Sequence, residues 1–101
     1  GHIPTTVQKI VTRNVVGIAE GSDPTLKSEA VLFTAHWDHL GVGKATAGGD
    51  DIHNGALDNA TGCAILLEMA RLWTSQKTRP KRSAIFLATT AEENGLLGAV
   101  H

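Results

Sequence analysis

The sequence predicts an α/β domain built on a mixed β-sheet flanked by helices, and three observations carry that expectation. Apolar or β-branched runs of strand length recur, and two of them, Ala30 to Ala35 and Ser83 to Ala91, lack the polar alternation of a half-exposed strand. Between these two lies one long stretch of helical period, Ala60 to Trp73. The order of elements, β-β-β-α-β-α, is that of a sheet with helices packed on it rather than of segregated halves.

Taken in order, Thr6 to Ile10 and Asn14 to Ala19 are expected as short strands, with Glu20-Gly21-Ser22-Asp23-Pro24 as a loop. Ala30 to Ala35 is expected as a strand in the middle of the sheet, and His36 follows it directly. Leu40 to Gly55, rich in Gly, Asp and Asn, is too irregular for an element and too long for a simple connector, which makes it a candidate functional loop. Asp58 or Asn59 can cap the helix that comes next. Its apolar positions Cys63, Leu66, Leu67 and Ala70 are widened by Ile65, Met69 and Leu72 into a stripe broad enough to press on a sheet. Gln76 to Arg82 is a polar, basic turn. Ser83 to Ala91 is the last strand, and a helix begins within Gly95 to Ala99.

With 101 residues the chain is at most one domain with a modest core. Nine Lys and Arg against 10 Asp and Glu give no large field of either sign, so nucleic acid is not an expected partner. A single cysteine, Cys63, forbids an intrachain disulfide and leaves any metal site to His and carboxylate ligands. No apolar stretch approaches the roughly 20 residues of a membrane helix, and no signal peptide is expected. Gly1-His2 is the dipeptide an expression scar leaves, so His2 is not counted as a ligand.

Three clusters of acids and imidazoles fall at expected strand ends, where ligands gather in open α/β sheets. His36 and Asp38 leave the same face of an extended segment, so that Asp38 can hold one ring nitrogen while the other binds metal. A solvated strand end is the plain alternative. Asp58 sits where the glycine-rich loop meets the helix, a place for a metal ligand or an ordinary cap. Glu92 and Glu93 repel each other at the end of an apolar strand unless a cation or proton lies between them. One could bind metal while the other takes a proton from an attacking water, or both could belong to a solvated acidic turn. His39 and His53 lie in the loop as weaker, substrate-facing candidates, Cys63 reads as core, and Trp37 can wall a site.

Thr34-Ala35-His36-Trp37-Asp38-His39-Leu40-Gly41, Asn54-Gly55-Ala56-Leu57-Asp58-Asn59-Ala60-Thr61-Gly62 and Thr90-Ala91-Glu92-Glu93-Asn94-Gly95-Leu96-Leu97-Gly98 together resemble, in order and spacing, the M28 family of zinc aminopeptidases. M20 peptidases share the His-x-Asp and Glu-Glu pairs, but the context of Asp58 favours M28. The resemblance implies a phosphorylase/hydrolase-like zinc-peptidase fold in which His36 binds one zinc, Asp58 bridges two, and Glu93 binds the other. It implies Glu92 as general base, Asp38 as the residue orienting His36, and hydrolysis of N-terminal peptide bonds in a secreted or periplasmic setting. A further Asp and His normally come from later in such chains. Residues 1–101 are therefore expected to form the N-terminal portion of one incomplete catalytic domain, inactive or weakly active alone and self-associating through an exposed sheet edge. A non-catalytic, peptidase-like binding module is the alternative.

Overall fold

A computed structural model describes residues 1–44 and 47–101; residues 45 and 46 of the expected functional loop lie outside the described residues. A three-stranded mixed sheet has the order β1-β5-β2, where β1 is Val15–Ala19, β2 is Ala30–His36 and β5 is Ser83–Thr89. β5 runs antiparallel to β1 and parallel to β2. The parallel pair is joined through the helix α1, Thr61–Ser75, as a parallel crossover requires.

Ala84 and Phe86 on β5, Ala35 on β2 and Leu66 on α1 form the buried core. Phe33, Phe86 and Trp73 fill its wider end, the two phenyl rings stacked at 5.4 Å and Trp73 meeting Phe33 edge-on at 5.6 Å. The helix uses Cys63, Leu66, Met69, Ala70 and Trp73 against the sheet. These positions follow the i, i+3, i+4 spacing of a single face. Ile65, Leu67 and Leu72 of the broad stripe are exposed instead.

Two strand expectations are corrected. Thr6 to Ile10 forms no strand: the segment is exposed and no neighbouring strand satisfies its backbone, so β-branched composition alone does not order it. β2 is an edge strand rather than a central one, with Val31 39% and Leu32 56% exposed, because among the described residues β5 is its one pairing partner. Central burial falls to β5 alone.

The expected loop from Leu40 to Gly55 contains a two-residue ladder, β3 (Gly41–Val42) antiparallel to β4 (Ile52–His53). An irregular turn, Ala56–Ala60, leads into α1; Asp58 and Asn59 leave helical geometry there and the bond between them is cis. Beyond β5 the chain turns sharply and re-enters helix at α2, Leu97–Val100. Among the described residues no helix is long and apolar enough to cross a membrane.

Candidate metal centre

The parallel strands β2 and β5 end together, with His36 paired to Thr89 in register, so the segments leaving the two strands are delivered to one place. His36 is the last residue of β2, and its ring is largely buried. Its Nδ1 lies 3.1 Å from the Asp38 main-chain carbonyl. A carbonyl can only accept, so Nδ1 carries the proton and Nε2 is left to face Asp58 Oδ1 at 2.9 Å. Glu92 Oε2 lies 4.0 Å from the same nitrogen.

The bond that Asp38 makes to the His36 ring comes from its main chain. Its Oδ1 is 3.7 Å from His36 Nδ1 and accepts the Glu92 backbone N–H at 3.2 Å, while Oδ2 is buried with no hydrogen-bond partner. Asp38 thus holds the ring through its main chain and the Glu-Glu turn through its side chain. The helix is tied in as well, because Cys63 Sγ donates to the His36 carbonyl at 3.2 Å.

Asp58 does not act as the helix cap. Asn59 Oδ1 accepts the Gly62 N–H at 3.0 Å, which frees the Asp58 carboxylate for His36. Glu92 and Glu93 sit on a loop closed at its neck. Gly98 N–H bonds to Thr90 O at 3.0 Å, and Asn14 spans both ends, accepting from Thr90 N–H at 3.0 Å and donating to Gly98 O at 2.7 Å. Inside the loop, Gly95 and Leu96 both donate to the Glu92 carbonyl. Ala91, Gly95 and Leu96 have positive φ (53°, 97° and 62°), which turns the adjacent carboxylates toward one side instead of opposite ways.

Two overlapping sets of potential ligand atoms result, His36 with Glu92 and Glu93, and His39 with Asp58 and Glu93, each set within 4.8 Å. Glu93 is common to both, and Asp58 of the second set touches His36 of the first. His39 is the residue whose placement the sequence did not reveal: its Nδ1 is 2.8 Å from Glu93 Oε1. The available signal was its spacing, three residues after His36. His53 stays exposed and meets the His39 ring edge-on at 6.1 Å between centroids. Trp37, half exposed, donates to the Arg13 carbonyl and lines a cavity of about 650 Å³ beside the site, together with Asp38, His39, Asn94 and Leu97.

The donor set fits a cation. Asp38, Asp58, Glu92 and Glu93 gather around two imidazoles, and among the described residues none of the four pairs with Lys or Arg. The same charge acts on His36. Burial alone would pull its pKa down, but the hydrogen bond to Asp38 and the charges of Glu92, Asp58 and Asp38 outweigh it and raise it.

The sequence profile of peptidase family M28 matches residues 14–101. The chain belongs to that family. This M28 chain is 36% identical over 69 residues to a vacuolar membrane protease of Verticillium alfalfae, covering 68% of the chain and 6% of the relative. It is 49% identical over 45 residues to a probable zinc metalloprotease of Pyrenophora tritici-repentis, covering 45% of the chain and 10% of the relative. It is 34% identical over 91 residues to aminopeptidase YwaD of Bacillus subtilis, covering 89% of the chain and 17% of the relative. The M28 chain therefore spans a minor part of each of these relatives. No solved structure matches it at a significant level.

Proposed function

We propose that this chain contributes the metal-binding end of a zinc aminopeptidase, with His36, Asp58 and Glu93 as ligands and Glu92 as general base. The convergence of His36 Nε2, Asp58 and the Glu92-Glu93 pair, with no Lys or Arg to neutralise them among the described residues, carries the reading. The names of the relatives, a zinc metalloprotease and an aminopeptidase among them, support zinc and peptide bonds as metal and substrate. Bound zinc would supply a Lewis acid for the scissile carbonyl.

The chain's own residues do the rest. His36 keeps a proton on Nδ1 for the Asp38 carbonyl, so Nε2, which now faces the Asp58 carboxylate, is the nitrogen that would give up its proton to bind a metal. Glu92 is the more exposed of the two glutamates and stands next to His36 without a ring nitrogen bonded to it, which leaves its carboxylate free to handle a proton. As water bonds to the carbonyl carbon, Glu92 takes its proton; as the C–N bond breaks, the same proton passes to the departing amine. The cavity lined by Trp37 and Leu97 offers room for the substrate beside the reacting bond.

Glu92→Gln and Glu93→Gln test the division of roles. E92Q keeps its zinc and loses on the order of 10²–10⁴ in turnover, the usual cost of removing a general base. E93Q loses zinc. Equal zinc loss in both variants would overturn the assignment.

A further inference from the structure

We infer that His39 is a positioning residue for Glu93, donating the proton on its Nδ1 to Glu93 Oε1 so that the other carboxylate oxygen is aimed at the metal. The inference rests on the reading of Glu93 as a ligand and adds a residue to it. A carboxylate at this site can only accept a hydrogen bond, so the 2.8 Å contact places the proton on Nδ1. That atom is then committed to Glu93. Both side chains are mostly buried, with 22% and 19% exposed, so water competes little for the bond.

The local backbone is arranged to hold this ring. Gly55 has φ +63°, and a Cβ there would come within 2.9 Å of His39 Cβ, so any other residue would displace the imidazole. His39 also meets His53 edge-on, and His53 packs against Gly43, where an added Cβ would overlap its ring. This explains what a glycine-rich segment is doing next to the metal ligands: it lets backbone and imidazole approach closely enough to lock a carboxylate. Ligating carboxylates held in this way bind metal more tightly, and losing the outer bond typically costs 10- to 100-fold in affinity.

Zinc affinity, measured by competition with a chromophoric chelator, tests the inference on the purified protein in four variants. E93Q and H39F each weaken binding, H39F by roughly 10- to 100-fold. The double variant is no weaker than E93Q alone. H39N, whose amide nitrogen can donate from the position of Nδ1, stays near the parent affinity. Imidazole ¹⁵N spectra of the metal-free protein show the His39 proton on Nδ1, in a resonance that moves in E93Q. Parent-like affinity in H39F overturns the inference. So does H39N binding as weakly as H39F, which would assign the effect to the ring itself, or a spectrum with the His39 proton on Nε2. The spectrum requires no substitution at His39, so it decides even where H39F does not fold. Unchanged affinity in E93Q has a different meaning: it removes Glu93 from the ligand set and the underlying reading falls with it.

Discussion

Adding one methyl group at Gly98 should disable a site in which Gly98 takes no direct part. Gly98 lies at the neck of the loop that carries Glu92 and Glu93, and a Cβ there would overlap the Thr90 carbonyl oxygen, lie 2.8 Å from Thr90 N and 2.7 Å from Asn14 Oδ1. None of these is the loose end of a flexible side chain. Two are main-chain atoms of the residue following β5, and Asn14 is already held by bonds to both Thr90 and Gly98. G98A must therefore open the neck. Overpacking of this kind costs about 1–3 kcal/mol, and loss of the Asn14 to Gly98 bond adds about 1 kcal/mol. A combined loss near 3 kcal/mol lowers the urea midpoint by roughly 2 M, taking a slope of about 1.5 kcal/mol/M. Gly95→Ala is the control. Gly95 lies in the same loop at φ +97° with nothing within 4 Å of an added Cβ, so it carries only the conformational penalty, about 1–2 kcal/mol. Urea unfolding followed by fluorescence, with zinc affinity on the folded samples, reads both effects. Equal midpoints for G98A and G95A, or parent-like zinc binding in G98A, would refute the view that the neck sets the carboxylates.

Two further outcomes are expected. Asp23 accepts N–H bonds from Leu26 and Thr25, which hold its carboxyl below the usual aspartate range. A folded-state pKa lowered in this way contributes stability above the unfolded value and loses it as pH falls through the folded one, so the stability gap between the parent and D23A should narrow only in acid. A gap independent of pH across that range would show that the carboxylate charge is not involved. The bare edge of β2, with Leu32 exposed on it, should make the isolated 101-residue chain self-associate, and L32K should reduce this. Sedimentation velocity checks it, and a monomeric parent chain at high concentration would count against the edge as an adhesive surface.

Much of this arrangement is legible in the order of residues alone. The apolar run through Ile85 and Phe86 reports β5 correctly because that strand has neighbours on both sides, and burial is what an unalternating pattern encodes. The same pattern over-reports β2, which pairs with β5 alone among the described residues. Thr6 to Ile10 fails for a related reason: strand character needs pairing, and pairing is not local. At the site, the sequence places His36 and the two glutamates after strands and Asp58 at the entry to α1, and the structure brings these four together. The hydrogen-bond partners of Asp38 and His39 were not legible. Asp38 binds the ring by its main chain, which no side-chain pattern records. The His39–Glu93 contact joins residues 54 apart and depends on the positive φ of Gly55 and Ala91, which composition does not display.

The Asn14 clasp also bears on when the site comes into existence. Asn14 is 76 residues from Thr90 and 84 from Gly98, so its two bonds close nearly the whole chain into a ring. The entropy of joining ends that far apart is roughly 4 kcal/mol, more than two hydrogen bonds return. They can form only after β1 has docked on β5 and brought the ends together. Until then the segment after Thr89 has no fixed course and Glu92 and Glu93 have no common direction. Alignment of the two carboxylates is thereby placed late in folding: Glu92 and Glu93 gain a shared orientation once the segment through Gly98 has met Asn14.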